Sequence, residues 1–239
     1  MKPTIDVCLS PELISLYDLT DTIVVVTDVF RATSCMVAGL AHGVDHIIPV
    51  MTVEECRELQ KQGYWAAGER HALQIEGFEL DNSPFSYMKP EAKGQKIAVT
   101  TTNGTRSIVL AKPTAAEILV ASFSNLSATA NYLSKTGKDV LVVCAGWKGR
   151  PGIEDVLFAG ALCQKLQSDF SHEEDSTHMA LAAYEASKSD MLEYLQRASH
   201  LKRLKNLNGG DDIPFCLIED QFNIVVELRG NALYVKNSL

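Results

Sequence analysis

The chain has 239 residues, 46% of them hydrophobic, with 30 acidic against 22 basic side chains and a formal net charge of −8. That length and apolar content exclude a disordered chain. The acidic balance excludes a nucleic-acid surface and any general attraction of anions, so an anionic ligand would need a local cationic cluster or a metal. No apolar run approaches the roughly 18 to 20 residues of a membrane span, and MKPTIDVCLSPEL lacks the apolar centre of a signal peptide. The six cysteines, at 8, 35, 56, 144, 163 and 216, are scattered through apolar runs without a C-x-x-C pair. A cytoplasmic protein with reduced thiols, without a disulfide framework or a structural zinc site, is the expectation.

Apolar runs alternate with segments of helical period, the pattern of a mostly parallel sheet covered by helices. In chain order, IDVCL (5–9) and TIVVVTDV (22–29) read as strands and 31–42 as a helix. HIIPV (46–50) precedes a helix over 52–62, and YWAAG (64–68) opens a segment running to Gln95 that is too long for an ordinary connection and reads as a wall of a functional site. KIAVT (96–100) leads into a helix at 104–111, AEILVAS (116–122) into one at 124–135, and DVLVVCA (139–145) into one at 153–168. Helices at 174–187 and 189–207 follow, their charges forming a solvated face that also suits a partner subunit in a homodimer. NIVVELRGNALYVK, with Arg229, Gly230 and Asn231 at its turn, closes the chain as an antiparallel hairpin. The fold expected is a three-layer α/β/α arrangement with a mostly parallel sheet plus a C-terminal β-hairpin, spanning 1–239 as a single domain or as two closely fused subdomains.

In such sheets polar residues just after the strands gather in one crevice. After TIVVV come Asp28, Arg31, Thr33 and Ser34, which read equally as a helix cap with a surface arginine. After YWAAG come Glu69, Arg70 and His71, as easily an ion pair as a catalytic set. TTTNGT carries more hydroxyls than one helix cap needs. Thr101, Thr102, Asn103, Gly104 and Thr105, at the positive end of a helix and followed by Arg106, suit an anion better than a plain Asn-Gly turn does. After DVLVVCA, the glycines of GWKGRPG surround Lys148 and Arg150, and Glu154 and Asp155 open a helix. Two carboxylates there complement the helix dipole, and they are also hard-oxygen donors of the kind Mg²⁺ takes. Cys144 and Arg150 share the C-x₅-R spacing of thiolate phosphatases, a short pattern that arises by chance. Aspartyl-phosphate chemistry at Asp28 would want a second acid two residues on, where Phe30 stands.

Taken together, DVFRATS, GER, DNSP, TTNGT, CAG with the following ED-x₃-AG, and a late D-x₃-C from Asp212 to Cys216 resemble the 2-phosphosulfolactate phosphatase family over most of the chain. The resemblance implies Mg²⁺-dependent hydrolysis of (2R)-2-phospho-3-sulfolactate to 3-sulfolactate and phosphate, as in coenzyme M biosynthesis. Side-chain chemistry then distributes the roles. Glu69, Glu154 and Asp155 are expected to hold the Mg²⁺, and Asp28 to act in catalysis with Arg31 and Arg106 clamping acid groups. Thr101, Thr102, Asn103, Gly104, Thr105, Lys148 and Arg150 are expected to bind the small anionic phosphorylated substrate. A metal-independent phosphatase using Cys144 and Arg150, and a noncatalytic binder of anionic metabolites, are the rival expectations.

Overall fold

The apolar runs become strands because they are apolar on both faces. The computed structural model describes residues 2–70, 73–205 and 210–236. In chain order its elements are β1 (Ile5–Cys8), β2 (Ile23–Thr27), α1 (Ala32–Ala41), β3 (His46–Pro49), α2 (Val53–Lys61), β4 (Trp65–Arg70), β5 (Leu73–Gln74), α3 (Pro84–Tyr87), β6 (Lys96–Thr100) and α4 (Gly104–Ala111). There follow β7 (Glu117–Val120), α5 (Leu126–Thr136), β8 (Val140–Cys144), α6 (Ile153–Leu166), α7 (Asp175–Ser187), α8 (Met191–Tyr194), α9 (Ser199–Lys205), α10 (Asp212–Cys216), β9 (Val226–Arg229) and β10 (Ala232–Val235). β2 and β8 are buried at every position, as strands covered on both faces must be.

All strands join one sheet in the order β1-β8-β2-β7-β9-β10-β3-β6-β4-β5. The first four are mutually parallel, and so are β3, β6 and β4. Between the two sets lies the C-terminal hairpin, antiparallel to β7 on one side and to β3 on the other. Three successive antiparallel pairings reverse direction, so the two parallel halves run opposite ways.

Each half has helices on both faces. α5, α6 and α7 pack outside the first half, with Phe123, Phe158 and Leu162 in that core. α2 packs outside the second half on Ala66 and Ala98 through Cys56. The inner helices α1 and α4 are common to both. Val24, Val26 and Val143 of the first half and Ile47, Ile97 and Val99 of the second bury Met36, Val37 and Ile108 in one core. Every residue from Ala32 to Leu40 is buried, so α1 has no polar face.

One expected element is corrected. The helix read over 189–207 is broken into α8, a 3₁₀ turn at Leu195–Arg197 and α9, with Ala198 extended between them. The break buries Leu195, Ala198 and Leu201 together, and that burial outweighs the helix propensity of the run. Among the described residues, no helix is long and apolar enough to cross a membrane.

The hairpin is therefore a central element. Leu233, fully buried and registered between Leu228 and Ile47, is the residue to test. Leu233→Ala is expected to cost about 2–5 kcal/mol in urea denaturation, against less than about 0.5 kcal/mol for Leu73→Ala, a residue 63% exposed on the edge strand β5.

Candidate active site

The inner layer decides where the polar loops meet. α1 begins just after β2 and α4 just after β6, and these two helix starts touch. A Cβ on Gly104 would lie 2.8 Å from the Ala32 Cβ and 2.9 Å from Asp28 Oδ2, so only glycine fits there. The positive end of α4 thus meets the Asp28 carboxylate. Thr33 holds the loop from within, its hydroxyl accepting from the Asp28 N–H at 2.9 Å and its own N–H donating to the Asp28 carbonyl at 3.0 Å.

The loop after β8 joins through Asp155. Its Oδ1 accepts from the Val29 N–H and its Oδ2 from the Gly146 N–H, both at 2.8 Å, so one buried carboxylate ties the β2 loop to the β8 loop. Gly146 has φ 55°, and a Cβ there would lie 2.1 Å from the Arg150 carbonyl oxygen. This lets the chain fold into a tight turn, with Trp147 and Arg150 exchanging backbone hydrogen bonds of 2.9 and 3.1 Å. Glu154, 2% exposed, accepts at Oε1 from His200 Nδ1 of α9 at 2.6 Å. Its Oε2 is buried and accepts no hydrogen bond among the described residues.

These carboxylates repel one another. Burial pushes the Asp28 carboxyl up to about 6; His200 opposes the rise, while Glu154 and Glu69 add to it. Asp155 is held well above the ordinary carboxylate range, first by burial, then by Glu154 and Asp28, against the pull of its two backbone N–H partners.

The surplus hydroxyls of TTTNGT have partners inside the protein. Thr100 accepts from Arg70 at 3.5 Å, Thr101 and Thr105 bond each other's backbone, and exposed Thr102 donates to Glu69 Oε1 at 3.0 Å. The Asn103 side chain accepts from the Lys148 N–H at 3.4 Å, joining this loop to the glycine-rich turn. Thr101, Gly104 and Thr105 are buried, whereas Thr102, Lys148 and Arg150 are exposed at the rim. Lys148 Nζ lies 4.5 Å from the centre of the Trp147 ring. Arg106 forms a two-pronged pair with Glu12, at 2.7 and 3.0 Å, at the same rim. Arg31 is buried and paired with Asp212 of α10, which also accepts from Ser83 Oγ at 2.6 Å.

A profile of the 2-phosphosulpholactate phosphatase family matches residues 8–231. The chain belongs to this family. It is 40% identical over 221 residues to a probable 2-phosphosulfolactate phosphatase of Caldanaerobacter subterraneus subsp. tengcongensis, covering 90% of this chain and 91% of that one. A Thermotoga maritima protein of the same name is 43% identical over 213 residues, covering 89% and 91%, and one from Clostridium kluyveri is 33% identical over 233, covering 93% and 94%.

In this member of the family, the structure brings Asp28, Glu154, Asp155, Gly104 and Asn103 into one place and puts Glu69 at its edge through Thr102. Among the described residues, no three His, Cys, Asp or Glu side chains are drawn together tightly enough to form a ready metal cluster. The donor chemistry still suits a hard cation: the carboxylates are buried with like charges, and the Glu154 oxygen has no donor. The thiolate reading is corrected. Cys144 is fully buried in β8 and its thiol is raised well above the ordinary value, first by burial and then by Asp155, so it is no nucleophile. All six cysteines are buried and unpaired.

Sequence reasoning missed His200, Glu12 and Ser83, each remote in sequence from the group it holds. It also left Asp212 without a partner. The family motifs D-x₃-C and DNSP contain Asp212 and Ser83, and that was the available signal. His71 lies outside the described residues.

The raised Asp28 carboxyl has a consequence for stability. It takes up its proton near pH 6 when folded and near 3.8 when unfolded. Stability is therefore full below the lower value and is lost as the pH rises through the upper one. Asp28→Asn removes that loss. The variant is expected to melt above the wild type at pH 7, by the equivalent of about 1–3 kcal/mol, with the difference vanishing below about pH 4 in calorimetric scans.

Proposed function

We propose that this chain hydrolyses the phosphate monoester of 2-phospho-3-sulfolactate to 3-sulfolactate and phosphate, with Mg²⁺ as cofactor and in the service of coenzyme M synthesis. The observation that carries this reading is the buried set Asp28, Glu154 and Asp155, like charges held where three strand-end loops meet. A substrate with three acid groups would be repelled from such a set unless a cation lies between them. This argues against a metal-free binder of anions.

Glu69, Glu154 and Asp155 are the donors for that ion, with Asp28 beside them. When bound, Mg²⁺ supplies Lewis-acid polarisation of the phosphoryl group and neutralises charge developing on its oxygens. The remaining tasks fall to the chain itself. Asp28, a buried carboxylate whose carboxyl is raised by burial and by Glu154 and Glu69, is the group available to take a proton from the attacking water. Lys148 and Arg150, exposed on the turn beside Asn103, draw the anionic substrate in, and Arg106 joins them from its pairing with Glu12. Arg31, its charge met by Asp212, acts from beneath as the brace of the Asp28 loop. Gly104, Thr101 and Thr105 keep the first turn of α4 against Asp28.

Phosphate release from 2-phosphosulfolactate, from phospholactate and from an aryl phosphate, each with Mg²⁺ or with EDTA, tests the reading. At least tenfold preference for the sulfonated ester and loss of activity in EDTA are expected; turnover that persists in EDTA would remove the metal, and no release from any ester would favour a binder. In a pH profile, kcat/KM is expected to fall tenfold per pH unit on the acid side as Asp28 becomes protonated, with the midpoint moving to lower pH as Mg²⁺ is raised, because the cation offsets the repulsion from Glu154 and Glu69.

A further inference from the structure

Glu154 and Asp155 are adjacent in the first turn of α6, yet they are held differently. Both oxygens of Asp155 are engaged by backbone N–H groups at 2.8 Å, so its direction is set by the main chain of two loops. Glu154 has a longer side chain with more rotamers, and among the described residues its hydrogen-bond partner is His200 Nδ1, 2.6 Å from Oε1. His200 is itself confined. Its side chain is 17% exposed, its ring meets the Phe30 ring edge-on with centroids 6.2 Å apart, and the extended Ala198 breaks the helix that would otherwise carry it elsewhere.

We propose that His200 is a positioning residue for the cation site: its Nδ1–H donates to Oε1 of Glu154 and so presents Oε2, the buried oxygen without a donor, to the divalent ion. The inference rests on the metal reading above and adds to it the residue that gives Glu154 its direction. Carboxylates that bind metals are commonly held by such outer hydrogen bonds, and losing one typically weakens the metal by about 10- to 100-fold. The histidine need not touch substrate. Its contribution is to limit Glu154 to one rotamer in a pocket where a wandering carboxylate would face its like-charged neighbours.

The test is Mg²⁺ and Mn²⁺ titration calorimetry on substrate-free protein, for the wild type and for His200→Ala, His200→Phe and His200→Asn, with phosphate release measured at low and at saturating Mg²⁺. His200→Ala and His200→Phe lack the donor, and the phenylalanine keeps the packing against Phe30 should the alanine variant not fold. Both are expected to bind the ion about 10- to 100-fold more weakly. The KM for substrate at saturating Mg²⁺ should hardly change. His200→Asn, whose amide can donate to Glu154, should recover most of the affinity. Unchanged metal affinity in the donor-less variants would overturn the proposal, as would an asparagine variant no better than phenylalanine. A wild type that binds neither ion and works in EDTA would fell the metal reading itself, a different pattern from a wild type that binds alongside variants that bind equally.

Discussion

Helix α1 has no polar face, and the rest of the molecule follows from that constraint. A helix buried from Ala32 to Leu40 must be covered on every side. The C-terminal hairpin makes this feasible by joining two parallel half-sheets into one sheet, so that both halves contribute to the core around α1 and α4. In an open sheet of one direction the strand-end loops would gather along a single edge. Here the halves are opposed, and the loops meet because the two helices that follow β2 and β6 pack together at their starts. Gly104 is the measure of that closeness.

The site is assembled from groups that would be more comfortable apart. Asp28, Glu154 and Asp155 are each almost wholly buried. Two of them have carboxyls pushed upward by burial and by their neighbours. The protein offsets part of this through fixed dipoles and hydrogen bonds: two backbone N–H groups on Asp155, the first turn of α4 at Asp28, and His200 on Glu154. What remains uncompensated is the part a cation would satisfy. Stability and function pull in opposite directions at Asp28 for that reason.

The elements that could be read in the chain are those whose cause is local. β2 and β8 are runs of valine, isoleucine and leucine whose burial needs no knowledge of their neighbours. α2, read over 52–62, is a local element too, its start fixed in the structure by the Thr52–Glu55 capping box. The carboxylates of GER and of ED-x₃-AG stood out because each follows an apolar run. What could not be read was pairing. The hairpin is evident as a hairpin, yet nothing in NIVVELRGNALYVK says that Leu119 lies beside one strand and Ile47 beside the other. The break at Ala198 is a tertiary choice, since residues 189–207 keep a helical pattern throughout. The hydroxyls of TTTNGT were legible as a surplus, but their partners Glu69 and Arg70 are supplied by a different strand.

The sequence by itself determined the alternation of strands and helices, the family, and the identity of the charged groups available for chemistry, because these depend on composition and on spacing along the chain. Only the tertiary structure decided that Cys144 is sealed in a strand, that Arg31 is matched by Asp212 and Arg106 by Glu12, and that a histidine forty-six residues away holds Glu154. The physical reason is the same in each case. Hydrogen bonds and charge pairs act over a few ångströms of space, and the distance between two residues in space is set by how the sheet halves pack around α1, not by their separation in sequence.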